Sequence, residues 1–101
     1  MAKIVKTEIK VLEKMPYAQA HVRITNGNIY LFSYTTLVCA LEKDEQGEQW
    51  LTCYGLHSNT TRRHISAFMR EYTKFDYHTA KNAYNEHYKL NLNTGEVEHL
   101  N

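Results

Sequence analysis

Leu37 to Gly55 reads LVCALEKDEQGEQWLTCYG, and the place of its glycine decides how the chain folds. Two apolar runs flank a charged stretch that contains Gly47. A three-residue loop, Glu45-Gln46-Gly47, puts the glycine in the left-handed conformation such loops require. That loop sets a register for both arms. Leu41 falls opposite Leu51, Cys39 opposite Cys53 and Leu37 opposite Gly55 on one face. Val38, Ala40, Trp50 and Tyr54 fall on the other. Both faces are then apolar, which predicts a central hairpin covered on both sides.

Working outward, residues 3 to 12 alternate: Val5, Thr7, Ile9 and Val11 against Lys6, Glu8 and Lys10. That is a strand with one wet face. Pro16 ends its pairing. Residues 17 to 25 alternate again, with Ala18, Ala20, Val22 and Ile24 against Tyr17, Gln19, His21 and Arg23. Asn26-Gly27-Asn28 is a hairpin signal, because Asn and Gly tolerate positive φ. Ile29 to Glu42 is rich in β-branched and aromatic residues and too long for one flat strand, so a bend is expected at Ser33 to Thr35.

Downstream of the hairpin, Ile65, Phe68, Met69 and Tyr72 recur at i, i+3, i+4, i+7, one face of a helix. Ser58, Asn59 or Thr60 can cap its start. A weaker helix is expected over about Asp76 to Tyr88, with Tyr77, Ala80, Ala83 or Tyr84, and His87 inward. Asn93-Thr94-Gly95 closes a last short hairpin. The order predicts an α+β fold in one domain over residues 1–101: an antiparallel β-sheet of about four strands, two helices packed on one face, and a C-terminal β-hairpin.

Composition narrows the function classes. A chain of 101 residues with 43% hydrophobic and 23% charged residues is globular and builds one modest core. The net charge of +1 excludes a strongly basic nucleic-acid binder and a strongly acidic mimic alike, so electrostatic binding has to come from a local patch. No run approaches the roughly 18 apolar residues of a membrane span. No membrane is expected among the partners, and a cytoplasmic location is the default. Five of the eight tyrosines, Tyr54, Tyr72, Tyr77, Tyr84 and Tyr88, lie between residues 54 and 88. They close a small core or enrich an interface.

Three constellations carry chemistry. The first is the helix start. Arg62, Ser66 and Arg70 are spaced i, i+4, i+8, with Arg63 beside them and Lys74 beyond. The free N–H groups at Ser58, Asn59, Thr60 and Thr61 add positive potential. With Tyr77 these residues form a candidate partner-binding set. The plainer reading is a cap followed by a solvated helix face. The second is the histidines, six in all. His64 borders the apolar helix face, where a half-buried core role is expected. No nucleophile elbow, zinc-protease motif, Walker loop or paired-cysteine motif accompanies them, so no enzyme is expected. The third is the cysteines. Cys39 and Cys53 are read as two core thiols in a reducing compartment. The alternative joins them to His57 and His64 as a closed zinc site. A disulfide is disfavoured because direct cross-strand pairs fit its geometry poorly.

One resemblance adds context. Ser33-Tyr34-Thr35-Thr36, the hairpin, and Ser58-Asn59-Thr60-Thr61-x-x-His64-Ile65-x-x-Phe68 resemble a group of small hypothetical proteins of phages, prophages and plasmids. The group has no established activity, so no site residues transfer. The resemblance implies a non-enzymatic accessory protein of a mobile genetic element in a bacterial host. It would bind and inhibit a host protein or protein–nucleic-acid complex, a Cas nuclease among the candidates, as anti-CRISPR proteins do. The alternative is a small nucleic-acid-binding module using the basic helix and tyrosines. A homodimer that buries the second face of the hairpin is a third reading.

Overall fold

The computed structural model describes residues 6–100. Seven strands form a single antiparallel sheet whose spatial order is the chain order. They are β1 (Thr7–Lys10), β2 (Ala20–Thr25), β3 (Asn28–Ser33), β4 (Thr36–Lys43), β5 (Gln49–Cys53), β6 (Tyr88–Asn91) and β7 (Val97–His99). Helices α1 (Asn59–Tyr72) and α2 (Tyr77–Asn85) lie between β5 and β6 in sequence. The first residues of the strand expected over 3 to 12 fall outside the described residues.

The expected sheet of about four strands is corrected at two places. The long run Ile29 to Glu42 does not bend; it reverses. Ser33 pairs with Thr36, so β3 and β4 are joined by the two-residue turn Tyr34-Thr35. Tyr34 takes φ +57°, with no Gly, Asn or Pro to announce a turn. The C-terminal hairpin is not separate either. Asn91 pairs with Trp50 and Leu90 with Leu51, which adds β6 and β7 to the main sheet.

The register read from Gly47 holds. Gly47 has φ +79°, Cys39 pairs with Cys53, and Leu41 with Leu51. The expected Leu37–Gly55 pair does not form. Leu31 faces Cys39 while Phe32 faces Leu37, so Val38 is the extra residue of a β-bulge. Val38 joins the core cluster instead of the outer face.

Both helices cover one face. Ser58 caps α1 by accepting a bond from the Thr61 N–H, and Asp76 caps α2 by accepting from His78 and Thr79. Ile65, Phe68 and Met69 of α1 and Ala80 of α2 meet Val22, Leu31, Cys39, Leu41, Leu51 and Cys53 of the sheet in one core. Ala83 is buried, Tyr77 and Tyr84 are half-buried, and His87, expected inward, is exposed just beyond the helix end. No helix among the described residues covers the other face, so the expectation of cover on both sides is also corrected. The reason lies in the side chains. Ala40 and Thr52 are small, and half-buried Tyr30, Phe32 and Trp50 surround them, so Ala40 is fully shielded without a second layer.

Candidate functional site

Polar and aromatic side chains gather at a latch at the start of α1 and on the open face of the sheet.

The latch begins with the α1 cap. Ser58 Oγ, besides accepting from the Thr61 N–H, is hydrogen-bonded to Thr61 Oγ1 at 3.2 Å. Thr61 Oγ1 reaches Ser33 Oγ at 3.1 Å, and Ser33 Oγ reaches His64 Nδ1 at 2.8 Å. Tyr34, held in its turn by a bond from its N–H to the Gln19 carbonyl, sets its ring 6.1 Å from the His64 ring. Burial lowers the His64 pKa, which favours the neutral ring. A serine beside a histidine is also the start of a nucleophilic pair. That use needs an exposed Oγ and a group that orients the ring from its far side. Ser33 is 2% and His64 1% exposed, and the third partner is the Thr61 hydroxyl. The arrangement ties the first turn of α1 to the β3–β4 turn.

Alternation places the open face on the residues between the core positions of each strand. His21 and Phe32 are cross-strand partners whose rings stack 5.0 Å apart at an interplanar angle of 3°. The Arg23 guanidinium lies 4.4 Å from the Phe32 ring centre and donates from Nε to His21 Nε2 at 3.1 Å. Desolvation, and then the Arg23 charge, push the His21 pKa down. Tyr30 donates to Glu42 at 3.0 Å, and Trp50 donates from Nε1 to Asp44 at 2.9 Å. The Lys89 ammonium sits 5.0 Å from the Trp50 ring and 3.7 Å from Glu98. Tyr54 is 47% exposed. Sequence reading set Trp50 and Tyr54 on this face but missed His21, Arg23, Tyr30, Phe32 and Lys89 as a group. Their grouping follows from the pairing of β2 with β3 and of β5 with β6.

The partner-binding set expected on α1 is only partly assembled. Arg62, Arg63, Arg70 and Lys74 are exposed, and the two ion pairs among the described residues lie elsewhere. Arg63, Ser66 and Arg70 line a cleft of about 630 Å³ together with Glu13, Lys14, Met15 and Glu71. The Glu13 N–H donates to Glu71, so acidic groups share that cleft. Arg70 and Lys74 also border a second hollow, with Thr73, Phe75, Asp76 and Thr79. Tyr77 is not among them. It packs against the core from α2, and its hydroxyl is buried without a partner among the described residues. Of the anion-binding set, Ser58 and Thr61 bond into the latch and Thr61 is buried there, while Ser58, Asn59 and Thr60 are exposed.

The four residues of the zinc alternative do not converge. His64 is engaged by Ser33, and the His57 ring packs against Gly55, leaving no room there for a Cβ. No group of three His, Cys, Asp or Glu among the described residues is placed to hold a metal ion. No helix among them is long and apolar enough to cross a membrane.

The fold is thus an antiparallel seven-strand meander with a helix pair on one face. Residues 6–87 match the model of a family of unknown function, DUF8033, and the chain belongs to that family. No curated protein and no solved structure matches it.

Proposed function

We propose that this chain is a non-enzymatic binding protein whose open sheet face receives a protein partner. One observation carries the reading: Trp50, Tyr54, Tyr30, Phe32, His21 and Arg23 lie together on the face that the helices leave bare. Trp, Tyr and Arg are the side chains that anchor protein interfaces, because each offers large contact area with a polar handle. The hydrogen bonds and ring contacts within the face hold these side chains before a partner arrives, which lowers the entropy cost of binding. Charge favours protein over nucleic acid. Arg23 and Lys89 are set against Glu42, Asp44 and Glu98, so the face has no excess of cations for phosphates.

The narrower version, a mobile-element protein that inhibits a host complex such as a Cas nuclease, draws on the phage and plasmid resemblance alone. The test is co-purification with host proteins and candidate Cas nucleases, using the native chain and the Trp50→Ala/Tyr54→Ala variant. Capture by the native chain and loss in the variant support the reading. Undiminished capture by the variant overturns the choice of face. The second reading, nucleic-acid binding, is favoured by the exposed cations Arg62, Arg63, Arg70 and Lys74, which form no ion pair among the described residues. It predicts oligonucleotide binding that weakens steeply with salt and is lost in Arg62→Glu/Arg63→Glu.

A further inference from the structure

We infer that Cys39 and Cys53 form a reversible cross-strand disulfide, a modification site on the helix side of the sheet. Both are free thiols, 0% and 6% exposed, on neighbouring strands and directly opposite each other. Antiparallel partners come in two kinds, and the backbone bonds identify this one. The Tyr54 N–H donates to the Val38 carbonyl at 2.8 Å. Each of those residues is one step outside the cysteine pair, so Cys39 and Cys53 form a non-hydrogen-bonded pair. In such pairs the Cα atoms approach to about 4.5 Å, with the side chains closer than at hydrogen-bonded pairs. Disulfides span Cα separations of roughly 4.4–6.8 Å, so the backbone already stands within range. Cross-strand pairs taken together fit disulfide geometry poorly, but the non-hydrogen-bonded kind brings the Cα atoms within range.

The two thiols are unequal. Contact with Cys53 and burial raise the Cys39 pKa, while contact with Cys39 lowers that of Cys53. Cys53 is the one with some exposure, so it is the sulfur that meets an oxidant first. It ends β5, next to the Tyr54–Ser58 loop that leads to the α1 cap, and its thiol donates to the Gly55 carbonyl at 3.8 Å. The proposed oxidation requires this loop to open far enough to admit a small oxidant.

With a low-molecular-weight disulfide as oxidant, the steps balance. The Cys53 thiolate attacks one sulfur, the oxidant's S–S bond breaks, and one small thiolate leaves and takes a proton. The Cys39 sulfur, giving up its proton, then attacks Cys53 Sγ in the mixed disulfide and expels the second small thiol. Two protein thiols are oxidised by two electrons, and one small disulfide is reduced to two thiols. The bond would join β4 to β5 beside the loop that positions α1.

The test uses the whole folded chain. It is incubated with oxidised glutathione under native conditions, then denatured, alkylated and weighed intact. The expected product has lost two hydrogens, carries no alkyl group or adduct, and regains both thiols with dithiothreitol. Two alkylated cysteines, a stable glutathione adduct as the end product, or a disulfide between chains each overturns the inference. Cys39→Ser sharpens the test. It removes the resolving sulfur, so glutathione should accumulate on Cys53. A Cys39→Ser chain that takes up no glutathione overturns the proposed order of attack.

Discussion

The two faces of this sheet are made by the same strands and are covered in different ways. On the helix side Val22, Leu31, Leu41 and Leu51 are fully buried against Ile65, Phe68 and Met69. On the other side their chain neighbours Tyr30, Trp50 and Thr52 are half-buried or buried with no helix over them, Arg23 is exposed, and Tyr54 stands half in water. Aliphatic side chains need a second layer to leave water; aromatic side chains set around small residues such as Ala40 provide part of that layer themselves. The helix side therefore carries most of the stability. The open side leaves aromatic contact area exposed, which is the area the proposed partner would cover.

The helix side is the place to break the fold. Phe68 is the largest fully buried side chain and sits in the middle of the α1 stripe. Phe68→Ala should destabilise the protein by about 3–5 kcal/mol, the lost transfer energy plus the cavity left behind. Urea unfolding followed by far-UV circular dichroism measures it. A loss below about 1 kcal/mol would mean that the helices are not the main cover of the sheet.

Acid should act on the helix side as well, through the latch. His64 has its folded pKa lowered by burial from the ordinary 6.5. The unfolded chain then takes up the proton first. The contribution of this group is full above pH 6.5 and is lost as pH falls from there toward the depressed folded value. His21 on the open face shifts in the same direction and adds to the slope. His64→Asn keeps a hydrogen-bonding group at the Nδ1 position and does not titrate. Thermal unfolding between about pH 7.5 and about pH 5 should show a steeper loss of stability in the native protein than in His64→Asn. Equal slopes would sink the assignment.

The difference between the faces also explains what could be read in advance. The Cys39–Cys53 register was legible because Gly47 and the alternation around it are local signals. The first helix was legible because Ser58 and the Ile65-Phe68-Met69 spacing are local too. Three features were not. The Tyr34-Thr35 turn uses a tyrosine at positive φ, which no turn preference flags. Val38 changes sides through a bulge that alternation does not foresee. The docking of β6 on β5 is a pairing across two helices, and local periodicity carries no information about it. Leu12 is fully buried just beyond β1, although alternation marks it only as the end of a strand. The latch was half visible. His64 and the Ser58–Thr61 cap were singled out, but Ser33 lies 31 residues before His64 and only the fold joins them. The open face was visible only at Trp50 and Tyr54, because the remainder comes from other strand pairs.

The smallest expected effect tests the open face itself. Lys89 packs its ammonium 5.0 Å from the Trp50 ring and 3.7 Å from Glu98, with its side chain 33% exposed. A cation over an indole at a partly exposed site contributes about 0.5–1 kcal/mol. An ion pair this accessible adds roughly 0–1 kcal/mol, and salt screens it. The Trp50 N–H bond to Asp44 also holds the ring. A double-mutant cycle of Lys89→Gln and Trp50→Phe should therefore return a coupling of at most about 1 kcal/mol. Each single variant should keep the circular dichroism spectrum of the native chain. A coupling well above that would show the open face to be built for stability as the helix side is, and would take away the reserve on which partner binding depends. A small coupling, with capture of the partner lost in Trp50→Ala/Tyr54→Ala, would separate the two faces by role: one holds the fold, and the other is free to be covered.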